Sequence, residues 1–258
     1  MMDNMSVKEA LEWYVGAGVI ETFGREVFCM AENLPKPVAP VTEGARKATT
    51  SLAQDALGAV KTARDICDSI HSLEKLHEKV EAFDGCALKL TASKTVFGDG
   101  NQKSGLMIIG EAPGADEDRV GLPFVGRSGH LLDKMLKAIG VKDRTGYYIS
   151  NILPWRPPGN RSPTDAEVAV CLPFLKKQIE LINPEIILIL GGSAANSLLN
   201  NGESISKLRG KWLSYKKADG KEVNVLASFH PAYLLRNSAQ KAKAWSDFVR
   251  LKKKIDGK

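Results

Sequence analysis

Apolar residues fall into two textures along the chain, and the change between them near Cys86 predicts its architecture. Before that point, Val7, Ala10, Leu11, Tyr14 and Val15 recur at helical spacing over residues 6–19. Leu52, Ala56, Val60, Ala63, Ile66, Ile70, Leu73, Leu76 and Val80 do so over 51–83, as one long helix or two shorter ones. Residues 33–50 lie between them. With Pro35, Pro37 and Pro40 in a Thr/Ala/Lys mixture, they read as a flexible linker. After Cys86 short apolar runs take over: Leu106-Met107-Ile108-Ile109, Tyr147-Tyr148-Ile149, Ile186-Ile187-Leu188-Ile189-Leu190 and Val223-Asn224-Val225-Leu226. Helical patterns at 127–139, 164–182, 192–200 and 238–254 separate them. Strand, crossover and strand repeated in this way predict an α/β fold. The expected form is a three-layer α/β/α sandwich around a mostly parallel four-stranded sheet, with a helical N-terminal extension. The expected division is a helical segment at 1–32, the linker at 33–50, a helical extension at 51–84 and the α/β domain at 85–258. Residues 1–80 carry no motif of chemistry, which leaves docking as their expected role.

Composition narrows the class. A chain of 258 residues, 43% hydrophobic and 26% charged, suits a soluble α/β domain with an appendage. No apolar run is long enough to span a bilayer. Asp3, Glu9 and Glu12 interrupt the N-terminus, so neither a membrane anchor nor a secretory signal is expected, and a cytoplasmic location is. The net charge of +6 hints at a polyanionic partner. The four cysteines, Cys29, Cys67, Cys86 and Cys171, form no CxxC pair and read as reduced thiols.

In parallel sheets ligands bind beyond the carboxyl ends of the strands. After Ile109 stand Gly110-Glu111-Ala112-Pro113-Gly114, then Glu117-Asp118, then Pro123-Phe124-Val125-Gly126. After Ile149 comes Asn151, followed by Arg156-Pro157-Pro158-Gly159-Asn160-Arg161; after Val225 comes His230-Pro231. Singly, each has an ordinary explanation. Gly and Pro serve turns, Phe124 fits a core, Glu111 can cap a helix, Asn151 can make an Asx turn, and a histidine before proline can be structural. Their convergence on one sheet edge is what points to a site. Gly98 to Ser104 fails as a phosphate loop, because Gln102 stands where a glycine is required before Lys103. Gly191-Gly192-Ser193 opens a helix after a strand, where such glycines usually serve close packing.

Three ordered blocks carry a resemblance. They are GEAPG at 110–114 with ED at 117–118, PFVG at 123–126 and LLD at 131–133; Asn151 with RPPGNR at 156–161 and Cys171; and HPAYLLR at 230–236. Over residues 86–251 the chain resembles the family 4 uracil-DNA glycosylases of bacteria and archaea. The resemblance implies an enzyme that flips uracil out of DNA and hydrolyses its bond to deoxyribose, leaving free uracil and an abasic site. It assigns Phe124 to stack on uracil, Asn151 to read its pyrimidine edge, and His230 to donate a hydrogen bond to O2. Glu111 and Ala112 would line the pocket. Family 1 enzymes carry a catalytic Asp where this chain has Ala112, so Glu111 is the first candidate to orient water or stabilise the sugar cation, with Asn160 second. Leu234 or Leu235 would wedge into the duplex, and Arg236, Arg156, Arg161 and Lys211 would contact phosphates.

The resemblance also implies a four-cysteine iron–sulfur cluster, and here the chain departs from its family. The matching positions hold Cys86, Lys89, Trp155 and Cys171. Lysine and tryptophan cannot replace thiolates, so no cofactor is expected; Trp155 would fill the vacated volume, leaving Cys86 and Cys171 as buried thiols. A superfamily branch that cross-links to DNA through a histidine in an inserted loop is a poor match, since His130 lies in a helix-opening stretch without insertion. The expectation is a monomeric, monofunctional glycosylase acting on uracil-containing DNA. Its rivals are a non-catalytic DNA-binding or replication-associated module and a glycosylase for another deaminated base.

Overall fold

The computed structural model describes residues 43–257, with side chains from residue 56 onward. The helix expected over 6–19 and the residue Cys29 lie outside the described residues. Ser51–Lys258 forms one compact unit. Helix α1 (Glu43–Asp68) opens inside the stretch read as a linker, so residues 43–50 are helical. The three prolines all precede Glu43, and the Ala, Arg and Lys that follow are good helix formers. The second half of the early helical pattern is separate: α2 (Leu73–Ala82) begins after Ser72, whose side chain accepts from the Lys75 N–H.

The sheet follows from β1 (Asp99–Gly100), β2 (Leu106–Gly110), β3 (Tyr148–Asn151), β4 (Ile186–Leu190), β5 (Trp212–Lys216) and β6 (Glu222–Ser228). It runs β1-β3-β2-β4-β6-β5, six strands where four were expected. The four parallel strands are the expected ones; the added pair are antiparallel edges. Those edges carry a weak signal. β1 has two residues, and β5 is only half-buried, lacking the continuous apolar run of a central strand.

Strand alternation divides the core into two layers. Met107, Ile109, Ile187, Ile189 and Val225 face one side, together with Phe174 and Leu175 of α5 (Asp165–Ile182) and Ala194 of α6 (Gly192–Leu199). Leu106, Ile108, Leu188 and Leu226 face the other, against Leu132 and Leu136 of α4 (Arg127–Ala138) and Phe248 and Leu251 of α9 (Lys241–Ile255). Both strand faces are apolar because helices cover both. From Ala63 onward the helical extension belongs to the first layer: Ala63, Cys67, Leu73, Leu76, Val80 and Phe83 pack in the same core as Phe174 and Leu175.

Helix α3 (Ala115–Val120) follows β2, the short α7 (Ile205–Leu208) precedes β5, and α8 (Pro231–Arg236) follows β6. The parallel register sets Gly110 beside Asn151 and Leu190 beside Ser228, so β2, β3 and β6 end at one edge.

Candidate active site

A cleft of about 790 Å³ opens at that edge, and its walls include Glu111, Ala112, Phe124, Asn151, Asn160, Arg161, His230, Leu235 and Arg236. Residues from the ends of three strands thus share one space. The rings of Phe124 and His230 lie 5.6 Å apart at 34°. Asn151 is buried on the last residue of β3, and its Oδ1 has no hydrogen-bond partner among the described residues. A buried carbonyl-type oxygen without a donor is costly, so this atom is poised for an incoming N–H. Gly110 makes the grouping possible: a Cβ there would stand 2.4 Å from Asn151 Oδ1 and 2.6 Å from the Phe124 ring.

His230 ends the β6 segment as the N-cap of α8, where its Nδ1 accepts the Ala232 N–H at 3.2 Å. That bond leaves the proton on Nε2. Burial, and secondarily the charge of Arg236, lowers the imidazole pKa from 6.5 to about 4. The ring is therefore a neutral hydrogen-bond donor at physiological pH.

Two acids after the first glycine loop, to which the sequence assigned no role, brace the structure there, and one of them joins two walls of the cleft. Glu117 is buried; its Oε2 accepts from the Gly114 N–H at 3.1 Å and its Oε1 from the Gly126 N–H at 2.8 Å. One carboxylate thereby ties the loop after β2 to the loop that carries Phe124. Asp118 Oδ1 accepts from the Ser93 and Lys94 N–H groups. The available signal was an adjacent acid pair one turn into a helix that follows glycines.

The remaining predicted residues divide. Glu111 lines the cleft and makes no side-chain hydrogen bond or ion pair among the described residues. Asn160 is at the rim with its Oδ1 accepting from Arg156 Nε at 2.7 Å, so that oxygen is already engaged. Arg161 lines the cleft but is gripped by Glu167, whose Oε2 is 2.9 Å from Nη1. Arg236 is exposed at the rim, while Arg156 and Lys211 do not line the cleft. Leu234 does not fit the wedge role expected for it. It is fully buried against Phe229 and Ala244 and cannot reach a duplex, whereas Leu235 is 40% exposed at the cleft mouth. Successive residues of a helix point about 100° apart, so one can face the core and the next the solvent, and the sequence motif alone did not orient them. Arg127, exposed at the start of α4, also lines the cleft and was missed.

The four positions matching the family's cluster ligands do not form a four-thiolate set. Cys86 and Cys171 are buried with their sulfurs 3.8 Å apart, the Cys171 thiol donating. That bond lowers the Cys86 pKa and, with burial, raises that of Cys171 well above its ordinary value. Trp155 is buried, near-parallel to the Phe83 ring at 6.4 Å, with its indole N–H donating to Thr95 Oγ1 at 3.1 Å. The Lys89 ammonium binds Asp84 Oδ1 at 2.8 Å and the Glu81 carbonyl. Among the described residues no group of three or more His, Cys, Asp or Glu side chains is placed to hold a metal. No described helix is long and apolar enough to cross a membrane.

The family model of the uracil DNA glycosylase superfamily matches residues 97–249, the span that carries the six strands and this cleft. The chain belongs to that superfamily. It is 42% identical over 169 residues to a type-4 uracil-DNA glycosylase of Thermotoga maritima, covering 64% of this chain and 84% of the relative. Type-4 uracil-DNA glycosylases of Pyrobaculum aerophilum and Archaeoglobus fulgidus are each 39% identical. They cover 69% and 70% of this chain and 91% and 92% of their own lengths.

Proposed function

We propose that the cleft takes up a uracil flipped from DNA and hydrolyses its N-glycosidic bond, releasing uracil and leaving an abasic site. The observation that carries the assignment of the pocket is the buried, unpartnered Asn151 Oδ1 beside the Phe124 and His230 rings. Uracil N3–H would donate to that oxygen, and the Asn151 amide N–H would donate to O4. Cytosine presents an acceptor at N3 and a donor at C4, so both contacts would be mispaired; such sites can reject the wrong base by about 10⁴-fold. Phe124 offers a π-face for stacking on the extruded ring.

Chemistry in this scheme rests on the leaving group. As the glycosidic bond breaks, negative charge grows on uracil O2, and the neutral His230 donates to it through Nε2–H. A preorganised donor at such a position is typically worth about 10²–10³ in rate. Ala112 offers no carboxylate, so water would attack an oxocarbenium-like sugar with Glu111 orienting it or stabilising the cation. Glu111 is favoured over Asn160 because its carboxylate is unengaged, while the Asn160 oxygen already holds Arg156. Among the described residues no lysine lines the cleft, which supports simple hydrolysis over a Schiff-base lyase. Leu235 would plug the duplex gap, with Arg236 and Arg127 at phosphates.

The chain would need no iron–sulfur cluster, a reading supported by the apolar filling at Trp155 and the paired thiols of Cys86 and Cys171. It would work as a cytoplasmic monomer, in a compartment that keeps the free Cys67, Cys86 and Cys171 reduced. The test is incubation with a uracil-containing oligonucleotide followed by alkaline cleavage. Wild type is expected to give strand scission, with near-absence in Asn151→Ala and His230→Ala. Binding without scission by wild type would overturn the enzymatic reading in favour of a non-catalytic DNA-binding module.

A further inference from the structure

We infer that Arg144, outside the cleft, is a positioning residue that fixes the ring of Phe124 for stacking. The inference rests on the reading of the cleft given above. Phe124 has a φ of 55°, in the left-handed region. The other described non-glycine residues with positive φ are Asn160, Asn183 and Asn200, and asparagine tolerates that region far better than an aromatic side chain does. A strained backbone at a functional ring persists only if its surroundings over-determine it.

Those surroundings are explicit. Arg144 Nη2 donates to the Pro123 carbonyl at 3.1 Å and to the Phe124 carbonyl at 2.9 Å. These oxygens belong to the peptide planes on either side of the Phe124 Cα, so holding both fixes φ and ψ together. The Phe124 carbonyl is confined from the other side by α4: a Cβ on Gly129 would stand 1.9 Å from it. The guanidinium is itself held over the Tyr147 ring, 5.5 Å from its centroid, with Asp99 Oδ2 3.7 Å from Nη1. Arg144 is not among the residues lining the cleft, so its effect must pass through Phe124.

The test is a double-mutant cycle on kcat/KM for uracil excision, with melting temperature followed in parallel. Arg144→Ala should lower kcat/KM by about 10- to 100-fold, the scale of a misplaced binding group. In a Phe124→Ala background the same change should cost less than about twofold, because the ring it serves is gone. Arg144→Lys should recover part of the loss by bonding to at least one carbonyl. Equal losses in both backgrounds, or no loss in either, would overturn the inference. A readout independent of catalysis is the His230 ring-proton NMR shift, which the Phe124 ring 5.6 Å away should perturb. Arg144→Ala should move it toward the Phe124→Ala value, and an unmoved signal overturns the inference even in a protein that excises nothing. Lack of excision by wild type, with the NMR shift moved, would sink the function and leave the clamp standing.

Discussion

Gly110→Ala tests whether the cleft depends on the close approach of Asn151 and Phe124. The added methyl would lie 2.4 Å from Asn151 Oδ1 and 2.6 Å from the Phe124 ring, against the 3.4 Å or more of ordinary contact. About 1 Å must therefore be surrendered. The strand cannot give it: Gly110 sits beside Asn151 in the parallel ladder, and its carbonyl accepts from the Ile152 N–H at 3.0 Å. The amide and the ring must move instead, and they are the two groups proposed to grip uracil. A misplacement of about 1 Å costs about 10²-fold in rate, so kcat/KM for uracil excision should fall by about that factor. Overpacking should also cost about 1–3 kcal/mol of stability. Gly85→Ala separates the two effects, because its methyl would lie equally close, 2.4 Å, to Phe83, which is buried away from the cleft. It should lower the melting temperature and leave excision intact. If Gly110→Ala excises uracil within about threefold of wild type, the proposed dependence on Asn151 and Phe124 geometry is wrong.

Other consequences can be checked directly. His230 has its folded pKa depressed from 6.5 to about 4, so its stability contribution is full above the unfolded value and lost as pH falls toward the folded one. Between about pH 8 and pH 5 excision should show no titration assignable to His230, and the His230 imidazole itself titrating near 6.5 by NMR would refute the neutral-donor role. Leu235→Ala should cut activity on double-stranded substrate about tenfold or more with little effect on single strands, because only a duplex leaves a gap to plug. Leu234→Ala should cost about 2–5 kcal/mol of stability through a core cavity, without that selectivity. Protein prepared with iron and cysteine present should carry no stoichiometric iron by metal analysis, and a chelator should leave its melting temperature unchanged; iron at cluster stoichiometry would reverse the reading of Lys89 and Trp155.

Periodicity alone determined the central architecture, because a parallel sheet buried on both faces writes continuous apolar runs and its helices write a 3.6-residue repeat. All four central strands and the helices α4, α5, α6 and α9 lie within a few residues of where that pattern set them. The edge strands β1 and β5 were illegible, since an edge is half-solvated and need not be apolar. The motif residues Phe124, Asn151 and His230 could be picked from three loops, but their common cleft depends on the register that aligns Gly110 with Asn151. Tertiary structure alone decided which leucine after His230 is free, that Glu117 joins two loops, and that Arg144 grips the carbonyls around a left-handed phenylalanine. The first depends on packing against Ala244, the second on a loop folding back over nine residues and the third on a contact across twenty, none of which a local pattern of polar and apolar residues encodes.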